Sequence, residues 1–165
     1  MVGASQLYRL SLATFDESAR LRHAVDWHLL NGFRSSDLCL LGTEPHIQAI
    51  RLPESGALQR QAPAAALTDV MSLGFDVRGY KVVATTNRFL STFKQAKYLR
   101  GNPCRCMLTA DSQAHLLNRA ANGAVALIAN ASSPEQHVSS TQQLLQCSLY
   151  PVQTHLFVWP MISQP

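Results

Sequence analysis

The chain has 165 residues, of which 47% are hydrophobic and 15% are charged. This composition is typical of a globular protein and argues against intrinsic disorder, and the length predicts one domain over residues 1–165. The net charge of +4 fits an anionic partner and fits ordinary solubility equally well.

The same features predict a cytoplasmic protein that does not cross a membrane. No apolar run approaches the roughly 20 residues of a transmembrane helix, and residues 1–6 lack the charged and apolar regions of a secretory signal. The cysteines are too few for a secreted disulfide scaffold, so we expect reduced thiols at Cys39, Cys104, Cys106 and Cys147.

The first 43 residues carry the pattern of a strand, a helix and a second strand. Polar and apolar residues alternate over 8–12, as in a strand with one covered face. Asp16 and Glu17 are acidic residues at a helix start, and Asn31-Gly32 is a helix stop. The second strand is the apolar run 38–41.

The stretch FDESARLRHAVDWHLLNGFRSSDLCLLG resembles the opening unit of bacterial general stress proteins of the YflT-like family. In that family a strand meets a short acidic stretch, an amphipathic helix ends at a Gly that precedes an aromatic or apolar residue, and a second strand follows. The resemblance covers residues 7–43 and implies a stress-related role with no catalytic residues to carry over. The matching positions are Phe15, Asp16, Ala24, Val25, Gly32, Phe33, Asp37 and Leu41.

The rest of the chain continues to alternate strands with helices. Residues 44–57 predict a connector with a short extended piece at 47–52, and an Ala-rich helix follows over Leu58–Leu73. A turn is predicted over Gly74–Gly79. The later predicted elements are a strand over 80–86, an aromatic-faced helix ending at Gly101, a strand over 104–109, a helix over 111–121, a buried strand over 124–129, a helix beginning at 132–135 and a strand over 152–159.

This alternation favours an α/β fold: a layered open sheet of about six mostly parallel strands with helices on both faces. The runs 38–41, 82–84 and 124–129 lack polar alternation, as expected of central strands covered on both sides. The alternative is an α+β, ferredoxin-like fold. There, residues 7–43 and 124–159 form two split strand–helix–strand halves, and the middle of the chain is an insertion.

Small polar residues at the ends of the predicted strands are the candidate ligand site. In a parallel sheet, ligands bind outside the carboxyl ends of the strands, where hydroxyl and backbone N–H groups can hold an anion. Helix N-caps require the same residue types, so a purely structural role is the alternative, and no nucleotide fingerprint is present. The predicted ligand-binding residues are Thr85, Thr86, Asn87, Arg88 and Asp111, and the other strand-end residues are Thr14, Asp16, Gly42, Thr43, Asn130, Ser132 and Ser133.

A basic segment over residues 78–105 has two interpretations. It contains half of the chain's Lys and Arg residues and no acidic residue. Cations interleaved with Phe89, Phe93 and Tyr98 could bind the phosphates and bases of a nucleic acid. At helical spacing, however, the aromatic residues form a buried face and the cations form a solvated one.

The cysteines and histidines predict neither a metal site nor a catalytic centre, and no cofactor is expected. Cys104 and Cys106 would point the same way in a strand, but a structural zinc site needs four ligands and no second pair is present. The histidines form no HExxH-type motif, and no GxSxG elbow marks a nucleophilic serine. His28 falls on the apolar face of its helix, so we interpret it as a core histidine.

Three functions are compatible with these features. The favoured one is a non-catalytic binding or regulatory module that recognises a small anionic ligand or a protein partner. It would form a homo-oligomer through its edge strands and through Phe157, Trp159, Met161 and Ile162. The alternatives are a small enzyme with its site at the carboxyl ends of the strands, and a weak nucleic-acid binder that uses residues 78–105.

Overall fold

The computed structural model describes residues 5–51, 70–85 and 110–160. These residues form one six-stranded sheet with four α-helices and a single 3-10 turn. In chain order the elements are β1 (Ser5–Phe15), α1 (Ser18–Leu30), the 3-10 turn (Ser35–Asp37), β2 (Leu38–Thr43), α2 (Glu44–Arg51), β3 (Val70–Val77), β4 (Tyr80–Thr85), α3 (Ala110–Ala121), β5 (Val125–Ala131), α4 (Pro134–Cys147) and β6 (Gln153–Pro160).

The sheet is antiparallel throughout, so the predicted α/β fold with mostly parallel strands is wrong. The strand order is β3-β4-β2-β5-β1-β6, and every neighbouring pair is antiparallel. β1 and β2 do run in the same direction, as a strand–helix–strand unit requires. They are not neighbours, however, because β5 lies between them and pairs antiparallel with both.

The order of the four strands β2-β5-β1-β6 corresponds to the split arrangement considered as the alternative fold. One unit is β1-α1-β2 and the other is β5-α4-β6, and each unit inserts a strand between the two strands of the other. This interleaving is ferredoxin-like. The hairpin β3-β4 comes from the middle of the chain and extends the sheet beyond β2.

Both faces of the central strands are buried. On one face, α1 and α4 pack through Leu21, Val25 and Leu144 against the odd-numbered residues of β1 and β5, such as Ala13 and Leu127. Side chains alternate along a strand, so the even-numbered residues of β1 lie on the opposite face, where Leu10 and Leu12 are also fully buried. α3 lies on this second face, since its Arg119 reaches the hydroxyl of Thr14.

Several predicted boundaries are confirmed and two are wrong. α1 ends at Leu30 and is followed by Asn31 and Gly32, the predicted stop signal. Gly32 has a φ of 91°, which would strain any residue with a side chain. Residues 44–51 form a helix instead of a connector, and Val70–Val77 is a strand instead of the end of a helix and a turn. The predicted helix ending at Gly101 and the predicted strand over 104–109 lie outside the described residues.

β3 became a strand because it pairs with β4 through a two-residue hairpin. Arg78 and Gly79 form the turn and both have positive φ, 50° and 81°, as in a type I′ turn. Type I′ turns favour Asn-Gly because their first position suits a residue that tolerates the left-handed region. Arginine at that position is therefore strained.

We expect Arg78→Asn to raise the free energy of unfolding by about 1 kcal/mol, because asparagine adopts the left-handed conformation at lower cost. Urea denaturation measures this change. Arg78→Ala is the control, since it removes the same charge without relieving the backbone. Equal stabilisation by both variants would contradict the strain explanation.

The interpretation of His28 as a core histidine is confirmed. Its side chain is fully buried, and its Nδ1 donates to the Ala24 carbonyl over 2.7 Å. Its Nε2 lies 2.7 Å from the Ser140 hydroxyl, which must donate because Nδ1 already carries the proton of the neutral ring. This bond joins α1 to α4. Burial lowers the pKa of His28 below its ordinary value of 6.5, although the bond to Ala24 acts in the opposite direction.

We expect stability to fall as the pH drops below 6.5, because the unfolded chain then takes up a proton that buried His28 resists. The slope from one such group is at most about 1.4 kcal/mol per pH unit. His155, whose pKa is also lowered by burial, adds to it with the same sign. Urea titrations between pH 8 and 5 should show a shallower slope for His28→Gln than for wild type.

Candidate functional site

The five predicted ligand-binding residues do not all fall within the described structure. Thr85 is fully buried at the end of β4, and its hydroxyl accepts a hydrogen bond of 2.8 Å from the backbone N–H of Leu40. The Thr85 hydroxyl therefore extends the pairing of β4 with β2. Asp111 lies exposed in the first turn of α3. Thr86, Asn87 and Arg88 are outside the described residues, so their grouping as one ligand site stays a prediction.

Antiparallel pairing divides the predicted strand-end residues between two ends of the sheet. β1 and β2 finish at one end, which we name the upper end, and β4 and β5 finish at the lower end. Asp16 and Thr43 accordingly lie at the upper end, whereas Thr85 and Asn130 lie at the lower end. A single site built from all carboxyl ends would require a parallel sheet.

The polar residues at the lower end beyond β5 have structural roles. The Asn130 side chain accepts a hydrogen bond from the backbone N–H of Arg9. Ser133 is the N-cap of α4 and accepts from the N–H of Gln136, while the Gln136 side chain accepts from the N–H and hydroxyl of Ser132. Asn130 thus links β5 to β1, and for Ser132 and Ser133 the structure shows the helix-capping alternative.

At the upper end, Asp16, Arg119 and Tyr150 form a cluster that ties β1 to α3 and to the segment before β6. Arg119 donates to Asp16 over 2.8 Å, and its guanidinium lies 3.6 Å from the centre of the Tyr150 ring. The Tyr150 hydroxyl donates to the second oxygen of Asp16. Arg119 is mostly covered whereas Asp16 is half-exposed. Both carboxylate oxygens of Asp16 accept a hydrogen bond within the cluster, so we interpret the cluster as a structural tie.

The hydrogen bond from Tyr150 is the main reason why the pKa of Asp16 lies below its ordinary value, with the bond and charge of Arg119 adding to it against a cost of burial. We expect Tyr150→Phe to raise the pKa of Asp16 and to lower the free energy of unfolding at pH 7 by roughly 0.5–1 kcal/mol, because the pair is solvent-screened. NMR titration of the carboxyl carbon measures the pKa. An unchanged pKa would contradict this assignment.

A crevice between α1 and α4 is the candidate functional site. It has a volume of about 390 Å³, is open to solvent, and is lined by Ala19, Arg20, His23, Gln143, Gln146 and Cys147. The first three residues come from the beginning of α1, and the others come from the last turns of α4. The two helices are held side by side by the His28–Ser140 hydrogen bond further along α1.

The described residues that line this crevice are rich in hydrogen-bond donors and include no carboxylate. Arg20 donates through Nε to Glu17 over 3.2 Å and through Nη1 to the Cys147 carbonyl over 3.4 Å. Among the described residues, Nη2 of Arg20 has no acceptor, so both of its N–H groups are available. Gln143 donates to the Cys147 sulfur over 3.2 Å, which fixes its amide at the wall.

The carboxylate beside the crevice, that of Glu17, is a weak partner of Arg20. Glu17 is the N-cap residue of α1, and its side chain makes no capping hydrogen bond. The Arg20–Glu17 ion pair is 43% and 58% exposed at its two side chains, and such a pair contributes little. An incoming anion can therefore compete with Glu17 for Arg20.

Sequence reasoning missed this site because its halves are separated by about 120 residues of chain. Arg20 and His23 are three residues apart, and Gln143, Gln146 and Cys147 also share one helical stripe, but neither stripe resembles a known motif. Only the contact between α1 and α4 brings the two stripes together.

In the part of the chain that the structure describes, no group of three or more His, Cys, Asp or Glu residues is placed to hold a metal ion, and no helix is long and apolar enough to span a membrane. Cys104, Cys106 and most of the basic segment 78–105 lie outside that part. No family model, curated protein or solved structure matches the chain. The resemblance of residues 7–43 to the YflT-like family stays a prediction.

Proposed function

We propose that the protein is a non-catalytic binding module that recognises a small anionic ligand, of the carboxylate or phosphate class, in the crevice between α1 and α4. The observation that carries this proposal is the position of Arg20. Its guanidinium lines the crevice, is anchored through Nε and Nη1, and keeps Nη2 for a ligand.

The other lining residues supply a recognition surface of suitable chemistry. His23 and Gln146 are exposed at the rim, and Gln143 is fixed by its bond to Cys147, so amide and imidazole donors surround the Arg20 guanidinium. Guanidinium groups bind carboxylates and phosphates through paired N–H bonds, which gives both geometry and charge assistance. The crevice is open to solvent, so we expect that part of a bound ligand stays exposed. Because salt screens exposed charges, we also expect the affinity for the anion to decrease as the salt concentration rises.

Binding should depend on Arg20 and on its competitor Glu17 in opposite directions. We expect Arg20→Gln to weaken the binding of inorganic phosphate about tenfold or more, because a charge-assisted bond is lost. Glu17→Gln should strengthen binding severalfold, because Arg20 then has no internal carboxylate partner and no cap is lost. Chemical-shift titrations with phosphate and with acetate measure both changes and compare the two ligand classes.

Lys81→Gln is the matched control, since it removes one exposed positive charge at the far hairpin. If Lys81→Gln weakened binding as much as Arg20→Gln, the effect would be one of net charge, and the crevice would not be the site. No shift of crevice resonances at 10 mM of either anion would also contradict the proposal.

A further inference from the structure

β6 is the last strand of the sheet on the side of β1, and within residues 5–51, 70–85 and 110–160 nothing gives it the usual protection of an edge strand. All eight residues, Gln153 to Pro160, pair in unbroken register with Leu12 to Ser5 of β1. In the described structure no strand pairs with the outer side of β6. The strand, QTHLFVWP, contains no charged residue, and its only proline is the last residue. A regular, uncharged edge of this kind is a template for another strand.

β3, at the opposite edge of the sheet, has the protection that β6 lacks in the described structure. β3 has an irregular register with β4 between Ser72 and Asp76, and it carries the charge of exposed Asp76. A bulge and a charge are two standard devices that prevent a further strand from pairing. Among the residues that the structure describes, one edge of the sheet is thus protected and the other one is open.

Exposed apolar side chains lie beside the open edge, on the face that carries α4. Leu156 of β6 is paired with Arg9 and Leu7 of β1 is paired with Val158, so the two leucines are diagonal neighbours on that face. Leu7 is 40% exposed and Leu156 is 64% exposed. Val138 and Leu145 of α4 are 57% and 58% exposed, and seven residues apart they share one stripe of the helix. Since Ser140 contacts α1 and Thr141 contacts Ser11 of the sheet, this stripe is on the side of α4 away from α1.

We propose that two copies of the chain associate through β6, which pairs antiparallel with β6 of the second copy and joins the two sheets. A two-fold axis relates the two strands, so β6 of one copy pairs with the same strand of the other copy, and without charges in the strand this self-pairing meets no like-charge repulsion. The axis runs perpendicular to the sheet, so both copies of α4 stay on the same face. Their apolar stripes then face each other across the paired strands.

A second copy fits this surface better than an isolated extended peptide. A peptide that adds one strand would satisfy the edge hydrogen bonds but would leave Val138 and Leu145 in water. The second copy supplies a strand and an apolar helix side together. The crevice lies on the α1 side of α4, so this association does not depend on the proposed anion binding.

Light scattering at 10–200 µM tests the association. We expect a particle of about twice the 18.1 kDa chain mass. Leu156→Lys should raise the dimer dissociation constant roughly 100-fold, since the substitution acts twice in a symmetric interface and removes buried apolar area. Val138→Lys should act in the same direction through the helix stripe. Leu30→Lys is the matched control, because Leu30 is 77% exposed on α1 and should change nothing.

Hydrogen exchange distinguishes strand pairing from other contacts. The β6 amides that point away from β1 should become protected as the wild-type concentration rises, and should stay unprotected in Leu156→Lys. Thermal unfolding of each variant checks that the monomer is folded. A monomeric wild type at 200 µM, a dimer that resists Leu156→Lys, or β6 exchange independent of concentration would each overturn the proposal.

Discussion

The pairing of β5 with β1 on one side and with β2 on the other is the constraint on which the rest of the structure depends. Seven residue pairs join β5 to β1 and four join it to β2, and the apolar residues of β5 are buried on both faces. Because β5 is antiparallel to both neighbours, the two strand–helix–strand units must interleave. That interleaving places α1 and α4 side by side on one face of the sheet.

α4 then has three sides with different surroundings: the sheet, α1 and solvent. Leu144 and Thr141 contact the sheet, Ser140 bonds to His28 of α1, and the exposed stripe of Val138 and Leu145 is turned the other way. The crevice that we propose as an anion site is on the α1 side, and the proposed self-association surface is on the opposite side. One helix therefore separates the two surfaces, and the two proposals do not require the same residues.

Most of the individual elements were readable from the chain, because local chemistry decides them. Asn31-Gly32 ended α1 and Ser133-Pro134 began α4, as turn and capping preferences require. The burial of His28 also followed from its place on an apolar helix face. Residues 70–77 were misread, because a strand that exists only through its hairpin partner has a weak local signal. The strained turn at Arg78 is evidence of that dependence.

By itself, the sequence determined the two strand–helix–strand units and the direction of the strands within each unit. Helical and strand periodicity are local properties, and a helical crossover makes the strands that it connects parallel. Only the tertiary structure decided which strands are neighbours, because β1 and β5 meet across more than a hundred residues. The tertiary structure also formed the crevice, because Arg20 and Gln143 line the same cavity only when α1 and α4 pack together. Long-range apolar packing makes that choice, and no short motif in the chain encodes it.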